Sequence, residues 1–294
     1  MFVHAHPDDE ASKGAATAAR YVDEGAHVTL VTCTDGAAGE VLNPSFDTAA
    51  LEAVGMARVR EDELADAVAA IGFHATHQLG FPDSGWHEDA ARVPEGTFAR
   101  MDLDVAAEAL AAIVRDEQPH VVVTYAENGG YPHPDHIMTH LVTMRALELA
   151  APVWQVAKVY AATTFLRERV VALHEALLAA GLESPYEDWI EEGRRPDVVP
   201  HARIRCADTF PRRDAALRAH ASQVDPDGMW FAVPRELERE VYPYESYELL
   251  WSLVATSVPE DDLFAGLDVA AWDVASGSVP GSAGTSVSSA RSSR

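Results

Sequence analysis

Three short, Val-rich segments alternate with Ala-rich stretches in the first half of the chain, and this alternation limits the folds that it can adopt. The apolar segments are FVHA, HVTLVTC and HVVVTY, at residues 2–5, 27–33 and 120–125. Continuous apolar character of this kind is typical of strands buried on both faces of a sheet. Helical periodicity is found at Ala11–Glu24, Leu51–Ile71, Val105–Asp116 and Asp135–Ala150. The alternation predicts an α/β fold with a Rossmann-like, mostly parallel sheet and helices on both faces.

The pattern is weaker in the second half of the chain. We expect strands at Ala157–Ala162 and near Glu248–Ala255, and helices at Arg167–Ala180 and Arg213–Gln223. We therefore predict one domain, with a Rossmann-like core at residues 1–165 and a smaller α+β portion at residues 166–274. Residues 275–294 contain eight serines and no aromatic residue. We expect this tail to be disordered, because it offers little apolar surface to offset chain entropy.

Composition excludes several classes of protein. Acidic residues outnumber basic ones, 47 to 22, and the formal net charge of −25 argues against nucleic-acid binding. The sequence has no apolar run of the roughly 18 to 20 residues that a membrane helix needs and no basic, apolar leader, so we expect a cytoplasmic protein. Cys33 and Cys206 do not suffice for a disulfide framework or a thiolate metal site. Any metal would therefore be bound by histidines and carboxylates.

Histidines and aspartates follow two of the predicted strands, at the point where each strand ends. HPDDE, at residues 6–10, comes directly after the first apolar segment, and YPHPDH, at residues 131–136, follows HVVVTY. Open parallel sheets bind ligands outside the carboxyl ends of their strands, so these residues are the first candidates for a site. Aspartates alone would be explained as helix caps, but we do not expect histidine to contribute to capping. The two His-Pro-Asp triplets therefore favour a catalytic zinc site with one position open for water.

With AHPDDE at residues 5–10 and GGYPHPDH at residues 129–136, the chain resembles the LmbE-like, or N-acetylglucosaminyl-phosphatidylinositol de-N-acetylase, superfamily of zinc amide hydrolases. Within it, the resemblance to the branch that cleaves mycothiol S-conjugates runs from residue 4 to about residue 266 and includes SKGAAT, GFPDSG and HASQVDPDG. It implies that zinc is held by His6, Asp9 and His136, with Fe²⁺ as an alternative that suits the same ligands. It also implies that Asp8 is the general base. Spacing alone leaves open which of the two adjacent aspartates has which role.

The same resemblance implies roles for further polar residues. His133 and Tyr131 would stabilise the oxyanion and protonate the leaving amine, and Asp135 would orient His133 and favour its protonated form. Substrate binding is assigned by the resemblance to Lys13, Arg60 and Asp83. Two of these have simpler explanations, since Lys13 would also fit a solvated helix lysine and Arg60 an ion pair with Glu63. We interpret His140, four residues after His136, as a packed or outer residue rather than a further ligand.

The implied function is hydrolysis of the amide bond of mycothiol S-conjugates, which releases a mercapturate and glucosaminyl-inositol. The implied partner is this small molecule alone, without nucleic acid or membrane, and a homo-oligomer is left open. The segment after His220 contains Trp230 and Phe231 and would form either a wall over the conjugated group or a buried turn. Residues 183–201 depart from the family pattern. Two other functions remain: de-N-acetylation of the N-acetylglucosaminyl-inositol precursor, and a non-catalytic nucleotide-binding or interaction module, which the absence of a G-x-G-x-x-G turn disfavours.

Overall fold

The strands of the protein form one mixed sheet. The structure, a computed structural model, describes residues 1–87, 89–193, 198–276 and 285–286. Within these residues the strands are β1 (Phe2–His4), β2 (Thr29–Thr34), β3 (Ala75–Phe81), β4 (Val121–Thr124), β5 (Lys158–Ala162), β6 (Ala202–Arg205), β7 (Tyr244–Ser252) and β8 (Thr285–Ser286). Their order in the sheet is β3-β2-β1-β4-β5-β7-β6, and β8 pairs with β7.

The first five strands are parallel, which confirms the predicted fold class. β1 lies between β2 and β4, and Phe2 is opposite Leu30 on one side and Val123 on the other. The strand order reverses at β1, since β2 and β3 lie to one side of it and β4 and β5 to the other. In open α/β sheets, such a reversal leaves a crevice outside the carboxyl ends of the central strands. β7 then pairs antiparallel with both β5 and β6.

Helices cover both faces of this sheet. They are α1 (Asp9–Ser12), α2 (Ala15–Asp23), α3 (Ala49–Val54), α4 (Met56–Ile71), α5 (Leu103–Glu117), α6 (Pro134–Ala150), α7 (Arg167–Ala179), α8 (Glu187–Glu191), α9 (Phe210–Ala219), α10 (Arg235–Val241) and α11 (Val269–Ser276). Buried residues of α2, α4 and α9 form a core with Phe2 and Leu30. Those of α5 and α6 form a second core with Val3 and Val31. Neighbouring residues of one strand thus serve opposite faces, as the pleat requires.

Two helices that the periodicity predicts as continuous are each divided at a glycine. The break between α1 and α2 includes Gly14, whose φ is 109°, and α3 and α4 are separated by Gly55. At Gly14 a Cβ atom would lie 2.7 Å from the Phe2 ring, so only glycine fits there without displacing that ring. The apolar pattern continues across both breaks, which is why periodicity alone does not reveal them.

The second half of the chain joins the same sheet rather than forming a separate one. β6 was not predicted, α9 ends at Ala219 instead of Gln223, and β7 begins at Tyr244 instead of near Glu248. The division at residue 165 stays a prediction. The tail predicted to be disordered lies outside the described residues, apart from the end of α11 and β8. Among the described helices, none combines the length and apolar character needed to cross a membrane.

Candidate metal centre and its cavity

The loops after β1 and β4 meet at the reversal of strand order. Because these strands are parallel neighbours, the HPDDE and YPHPDH motifs leave the sheet at the same edge. The imidazole rings of His6 and His136 lie 5.4 Å apart between centroids, although 130 residues separate them in the chain. The structure therefore brings the two motifs together, as their position after parallel strands predicts.

Asp9 lies between the two histidines. Its Oδ2 is 3.4 Å from His6 Nδ1 and 3.4 Å from His136 Nε2. Ligands about 2.1 Å from a tetrahedral zinc ion would be about 3.4 Å from one another, so both separations match a tetrahedral edge. All three side chains are buried. Together they form one of two groups, among the described residues, with the composition and spacing to hold a metal ion.

One ring nitrogen of His136 is placed to bind a cation. His136 Nδ1 bonds the carbonyl of Gly129 at 3.0 Å, which leaves Nε2 as the acceptor in the neutral ring. That Nε2 is buried and has no hydrogen-bond partner within the described part of the chain. A buried acceptor without a partner is costly, and a metal ion would satisfy it.

The electrostatics of the site also favour a positive charge. Burial opposes protonation of His6, but hydrogen bonds to carboxylates outweigh it and hold the pKa of His6 well above its ordinary value. The carboxylates are those of Asp135, Asp83 and Asp9, with oxygen atoms 3.1, 3.6 and 3.4 Å from the ring nitrogens. A divalent cation would meet the same surplus of negative charge.

The carboxylate of Asp135 hydrogen-bonds His6 and not His133, contrary to the prediction. Its Oδ2 is 3.1 Å from His6 Nε2 and accepts the Ser84 N–H at 2.9 Å. His133 is the cap of α6, and its Nδ1 accepts the backbone N–H of Asp135 at 3.1 Å. The expectation that histidine does not cap a helix is thus wrong here. A carboxylate behind a metal-ligating imidazole commonly fixes its orientation.

The predicted rise in the pKa of His133 is wrong as well. Burial, followed by the charges of His6 and His136, lowers the pKa of His133 to about 3. Since Nδ1 accepts a hydrogen bond, the proton of the neutral ring lies on Nε2. His133 is therefore suited to donate a hydrogen bond as a neutral imidazole.

Asp8 and Asp9 are adjacent but differently placed. The Asp8 side chain is 28% exposed, whereas that of Asp9 is 3% exposed. Asp8 belongs to neither metal-capable group among the described residues. Burial raises the pKa of Asp8 despite the opposing charge of Arg60. For Asp9, burial is outweighed by Lys13 and His136, and the pKa is held well below its ordinary value.

The three predicted substrate-binding residues line the cavity, and each forms hydrogen bonds with other residues of the site. Arg60 donates to Asp8 Oδ2 at 3.0 Å and to the Gly36 carbonyl at 3.0 Å. The alternative pairing of Arg60 with Glu63 is not formed, and Glu63 accepts hydrogen bonds from Ser222 instead. Arg60 therefore holds the carboxylate of Asp8.

Lys13 and Asp83 are also engaged within the site. The Lys13 ammonium bonds Asp9 Oδ1 and lies 3.0 Å from Ser12 Oγ, so Lys13 is not a solvated helix residue. Asp83 Oδ1 accepts the Gly85 N–H at 2.8 Å and faces His6. Substrate contact by these residues stays a prediction.

Comparison with known proteins gives a family. The sequence model described as GlcNAc-PI de-N-acetylase matches residues 1–147. The mycothiol S-conjugate amidase of Streptomyces coelicolor is 50% identical over 283 residues, which cover 91% of this chain and 96% of the relative. The chain belongs to the GlcNAc-PI de-N-acetylase family.

Other members of the family are deacetylases by name. The 1D-myo-inositol 2-acetamido-2-deoxy-alpha-D-glucopyranoside deacetylase of Geodermatophilus obscurus is 43% identical over 289 residues, covering 91% of this chain and 97% of the relative. Among solved structures, the conserved protein TT1542 of Thermus thermophilus superposes with a TM-score of 0.55 at 21% identity, over 89% of this chain and 98% of that chain. The N,N'-diacetylchitobiose deacetylase of Pyrococcus horikoshii gives 0.55 at 17% identity, over 85% and 82%. These structures share the fold of the family member described here.

In this member of the de-N-acetylase family, His6 and Asp9 of the candidate metal centre line a cavity of about 1430 Å³. Ligand pockets usually measure about 300–1,000 Å³, so a substrate larger than a single sugar would fit. Tyr131, for which a catalytic role is predicted, lines this cavity. It is 38% exposed, and its ring lies 4.6 Å from that of His136. Trp86 lies beside it, 5.9 Å from the Tyr131 ring and 5.7 Å from that of His133.

Tyr125, which was not predicted as a site residue, hydrogen-bonds the candidate ligand Asp9. Its hydroxyl donates to Asp9 Oδ2 at 2.7 Å and accepts the Ala5 N–H at 2.9 Å. Tyr125 is the last residue of HVVVTY, and its place at the end of a buried strand was the available signal. His140 packs nearby, as interpreted, with Nδ1 2.8 Å from the Tyr125 carbonyl oxygen.

A second contact that was not predicted, between His220 and Glu10, joins the two halves of the chain next to Asp8. His220 Nε2 and Glu10 Oε1 are 2.5 Å apart, and both side chains are fully buried. The other oxygen of Glu10 accepts the Asp8 N–H at 2.9 Å. His220 lies in the HASQVDPDG segment, but nothing in that pattern indicates its partner.

Proposed function

We propose that this chain is a zinc-dependent amidase that hydrolyses mycothiol S-conjugates. The observation that carries the proposal is the position of Asp9 Oδ2, 3.4 Å from a nitrogen of both His6 and His136. The identity of 50% to the Streptomyces coelicolor amidase, against 43% to the Geodermatophilus obscurus deacetylase, supports the substrate class. The size of the cavity also supports a substrate with several linked groups.

The donor set suits zinc, with two imidazole nitrogens and one carboxylate oxygen. His6, Asp9 and His136 would hold the ion, and Asp135 would orient His6 through the second ring nitrogen. When bound, zinc lowers the pKa of a water in its open position to about 7 and polarises the amide carbonyl.

Asp8 is the proposed general base. Its carboxylate accepts a proton as the water oxygen bonds to the amide carbon, and delivers that proton to the nitrogen as the C–N bond breaks. The products are a mercapturate and the free amine of glucosaminyl-inositol. A pKa raised by burial makes Asp8 a better proton acceptor than an exposed aspartate. Arg60 binds Oδ2 of Asp8, so we assign the proton transfer to Oδ1.

His133 and Tyr131 are the proposed donors to the oxyanion. The neutral His133 ring carries its proton on Nε2, since Nδ1 accepts the Asp135 N–H. The pKa of Tyr131 is raised by burial and by nearby carboxylates, so its hydroxyl keeps the proton that it donates. In a serine protease, removal of one hydrogen bond aimed at the developing oxyanion costs about 2.7–4 kcal/mol of transition-state stabilisation.

Metal analysis of purified variants tests the assignment of base and ligand. We expect stoichiometric zinc in the wild type, loss of zinc in His136→Ala, and retained zinc in Asp8→Asn. Asparagine is preferred to alanine because the φ of Asp8 is 125°, a region that asparagine tolerates better. Asp8→Asn should lose about 10²–10⁴-fold in turnover. Equal loss of zinc in both variants would mean that the two roles are misassigned.

The rival function, de-N-acetylation of N-acetylglucosaminyl-inositol, is favoured by the 43% identity to a deacetylase of that substrate. Turnover of a bimane adduct of mycothiol should be compared with turnover of this precursor on the same zinc-loaded protein. We expect at least about tenfold higher kcat/KM for the adduct, equivalent to about 1.4 kcal/mol. A tenfold preference for the precursor would replace the proposed function by the rival one.

A further inference from the structure

Three aromatic rings line one part of the cavity and have no role in the proposed chemistry. They are Phe165, Trp189 and Trp230, each half-buried. The Phe165 ring lies 5.2 Å from that of Trp189 and 5.5 Å from that of Trp230. They come from the loop after β5, from α8 and from the loop after α9, so three distant segments of the chain converge on one place.

Apolar side chains also line this cavity. They include Leu166, Leu217, Val224 and Met229, and Met229 is 45% exposed. Trp230 packs against the core cluster that contains Leu217 and Val224. A flexible thioether adapts to groups of different shape and makes favourable contacts with aromatic rings. The same cavity is also lined by charged and polar residues, among them His6, Asp8, Asp9, Lys13 and Arg60. The cavity thus offers polar groups, suited to hydroxyls and the amide, as well as apolar ones.

We propose that Phe165, Trp189 and Trp230 form the pocket for the group attached to the sulfur of the conjugate, and that this pocket prefers flat aromatic groups. The inference rests on the proposed function. The substrate has a polyhydroxylated end, whose hydroxyls need polar partners, and an S-linked group of variable structure, which an apolar, ring-lined wall suits better. Contact between aromatic rings is favourable beyond the burial of area, and a small alkyl group does not obtain this gain.

The pocket is held in position relative to the metal centre. Thr164, next to Phe165, donates its hydroxyl to the Ser12 carbonyl of α1 at 3.3 Å. α1 begins at the candidate ligand Asp9. On the other side, the Trp230 carbonyl accepts from Arg235 at 2.6 Å. A group bound between the rings would therefore lie at a defined distance from the scissile amide, which is what positioning requires.

The residues around α8 explain why Trp189 faces this cavity. Tyr186, one residue before α8, is buried in a cluster with Val170, Leu173 and Leu177 of α7, and Trp189 packs against that cluster. α8 thus presents Trp189 to the cavity while residues near it pack on α7.

The test compares two conjugates on zinc-loaded full-length protein: the bimane adduct of mycothiol, which is flat and aromatic, and S-methyl mycothiol. Trp189→Ala should lower kcat/KM for the bimane adduct about tenfold, and change that for the S-methyl conjugate less than about twofold. Trp189→Phe, which keeps a ring, should recover most of the loss. Trp251→Ala is the matched control, because Trp251 is half-buried on β7 and is not among the described residues that line the cavity. It should leave the ratio of the two substrates unchanged.

The outcomes separate the pocket from the function on which it rests. An equal loss for both conjugates in Trp189→Ala, or no loss for either, would overturn the pocket while the amidase function stands. Wild-type protein that cleaves the N-acetylglucosaminyl-inositol precursor but neither conjugate would overturn the function itself, and the pocket with it. If Trp189→Ala does not fold, Phe165→Leu, which also removes one of the three rings, gives the same comparison. A lower kcat/KM for the bimane adduct alone in Phe165→Leu would support the pocket. An equal decrease in kcat/KM for both conjugates would overturn it.

Discussion

Replacement of Tyr125 by phenylalanine removes one hydroxyl that joins the candidate ligand Asp9 to the end of β1. Tyr125 is 1% exposed, and its hydroxyl donates to Asp9 and accepts from the backbone of Ala5. Burial and the charge of Asp9 hold the pKa of Tyr125 well above its ordinary value, so the hydroxyl stays protonated. The substitution keeps the ring, which is stacked 4.3 Å from that of His136. It therefore tests the two hydrogen bonds and not the packing.

Two effects follow from the lost hydroxyl. The Ala5 N–H is left buried without its acceptor, which costs about 1–3 kcal/mol of folding free energy. Asp9 loses a donor that orients it, and removal of such an outer partner lowers metal affinity about 10–100-fold. We expect both in Tyr125→Phe. Urea unfolding of the metal-free protein measures the first effect, and competition for zinc with a chelator measures the second.

Tyr160→Phe is the control for this prediction. Tyr160 is also fully buried, and its hydroxyl bonds a carboxylate, that of Glu260, at 2.5 Å. Its loss should lower stability by a comparable amount, about 1–3 kcal/mol, without a change in zinc affinity. If Tyr125→Phe lowers stability but binds zinc within about twofold of the wild type, the hydroxyl does not orient the ligand and the reasoning is wrong.

Two further predictions concern the backbone at the metal centre and stability in acid. Gly129 and Gly130 have φ of 74° and 76°, but only at Gly129 would an added Cβ lie 2.8 Å from His136 Cβ. Gly129→Ala should therefore weaken zinc binding more than Gly130→Ala, and equal losses would contradict this. Burial raises the pKa of Glu238, but Arg213 outweighs it and lowers the pKa from 4.5 to about 2. The stability from this pair is present above pH 4.5 and is lost as the pH falls through about 2. Between pH 5 and pH 2, the free energy of unfolding measured with urea should therefore fall by up to about 3 kcal/mol less in Glu238→Gln than in the wild type. An equal fall in both proteins would refute this prediction.

The parallel core was predictable from sequence because its strands are buried on both faces. β1 and β4 are continuous apolar runs, and such runs are distinguished from other segments by composition alone. β6, at Ala202–Arg205, has two arginines among four residues and alternates between buried and more exposed positions at the edge of the sheet. A short half-exposed strand resembles a polar loop in sequence, which is why it escaped prediction.

The meeting of the two motifs was predictable, but the partners of their side chains were not. Parallel neighbouring strands bring the residues that follow them to one edge, whatever the detailed geometry. Whether Asp135 bonds His133 or His6 depends on how α6 begins. The backbone N–H of Asp135 donates a hydrogen bond to His133 Nδ1, and the carboxylate of Asp135 then bonds His6. Which partner is bonded depends on backbone and side-chain torsion angles, which sequence motifs and periodicity do not reveal.

In the proposed mechanism, the different environments of Asp8 and Asp9 allow two adjacent carboxylates to take different roles. Here Asp8 has a φ of 125°, outside the region that non-glycine residues normally occupy, and strain of this kind is retained mainly at functional sites. The turn buries Asp9 among cations, which keep it ionised as a ligand requires, and directs Asp8 to the cavity with a raised pKa. Environments that push two pKa values apart assign one group to charge and the other to proton transfer. The contacts of Arg60 and Glu10 with Asp8 hold this strained turn, so their loss should impair turnover more than zinc binding.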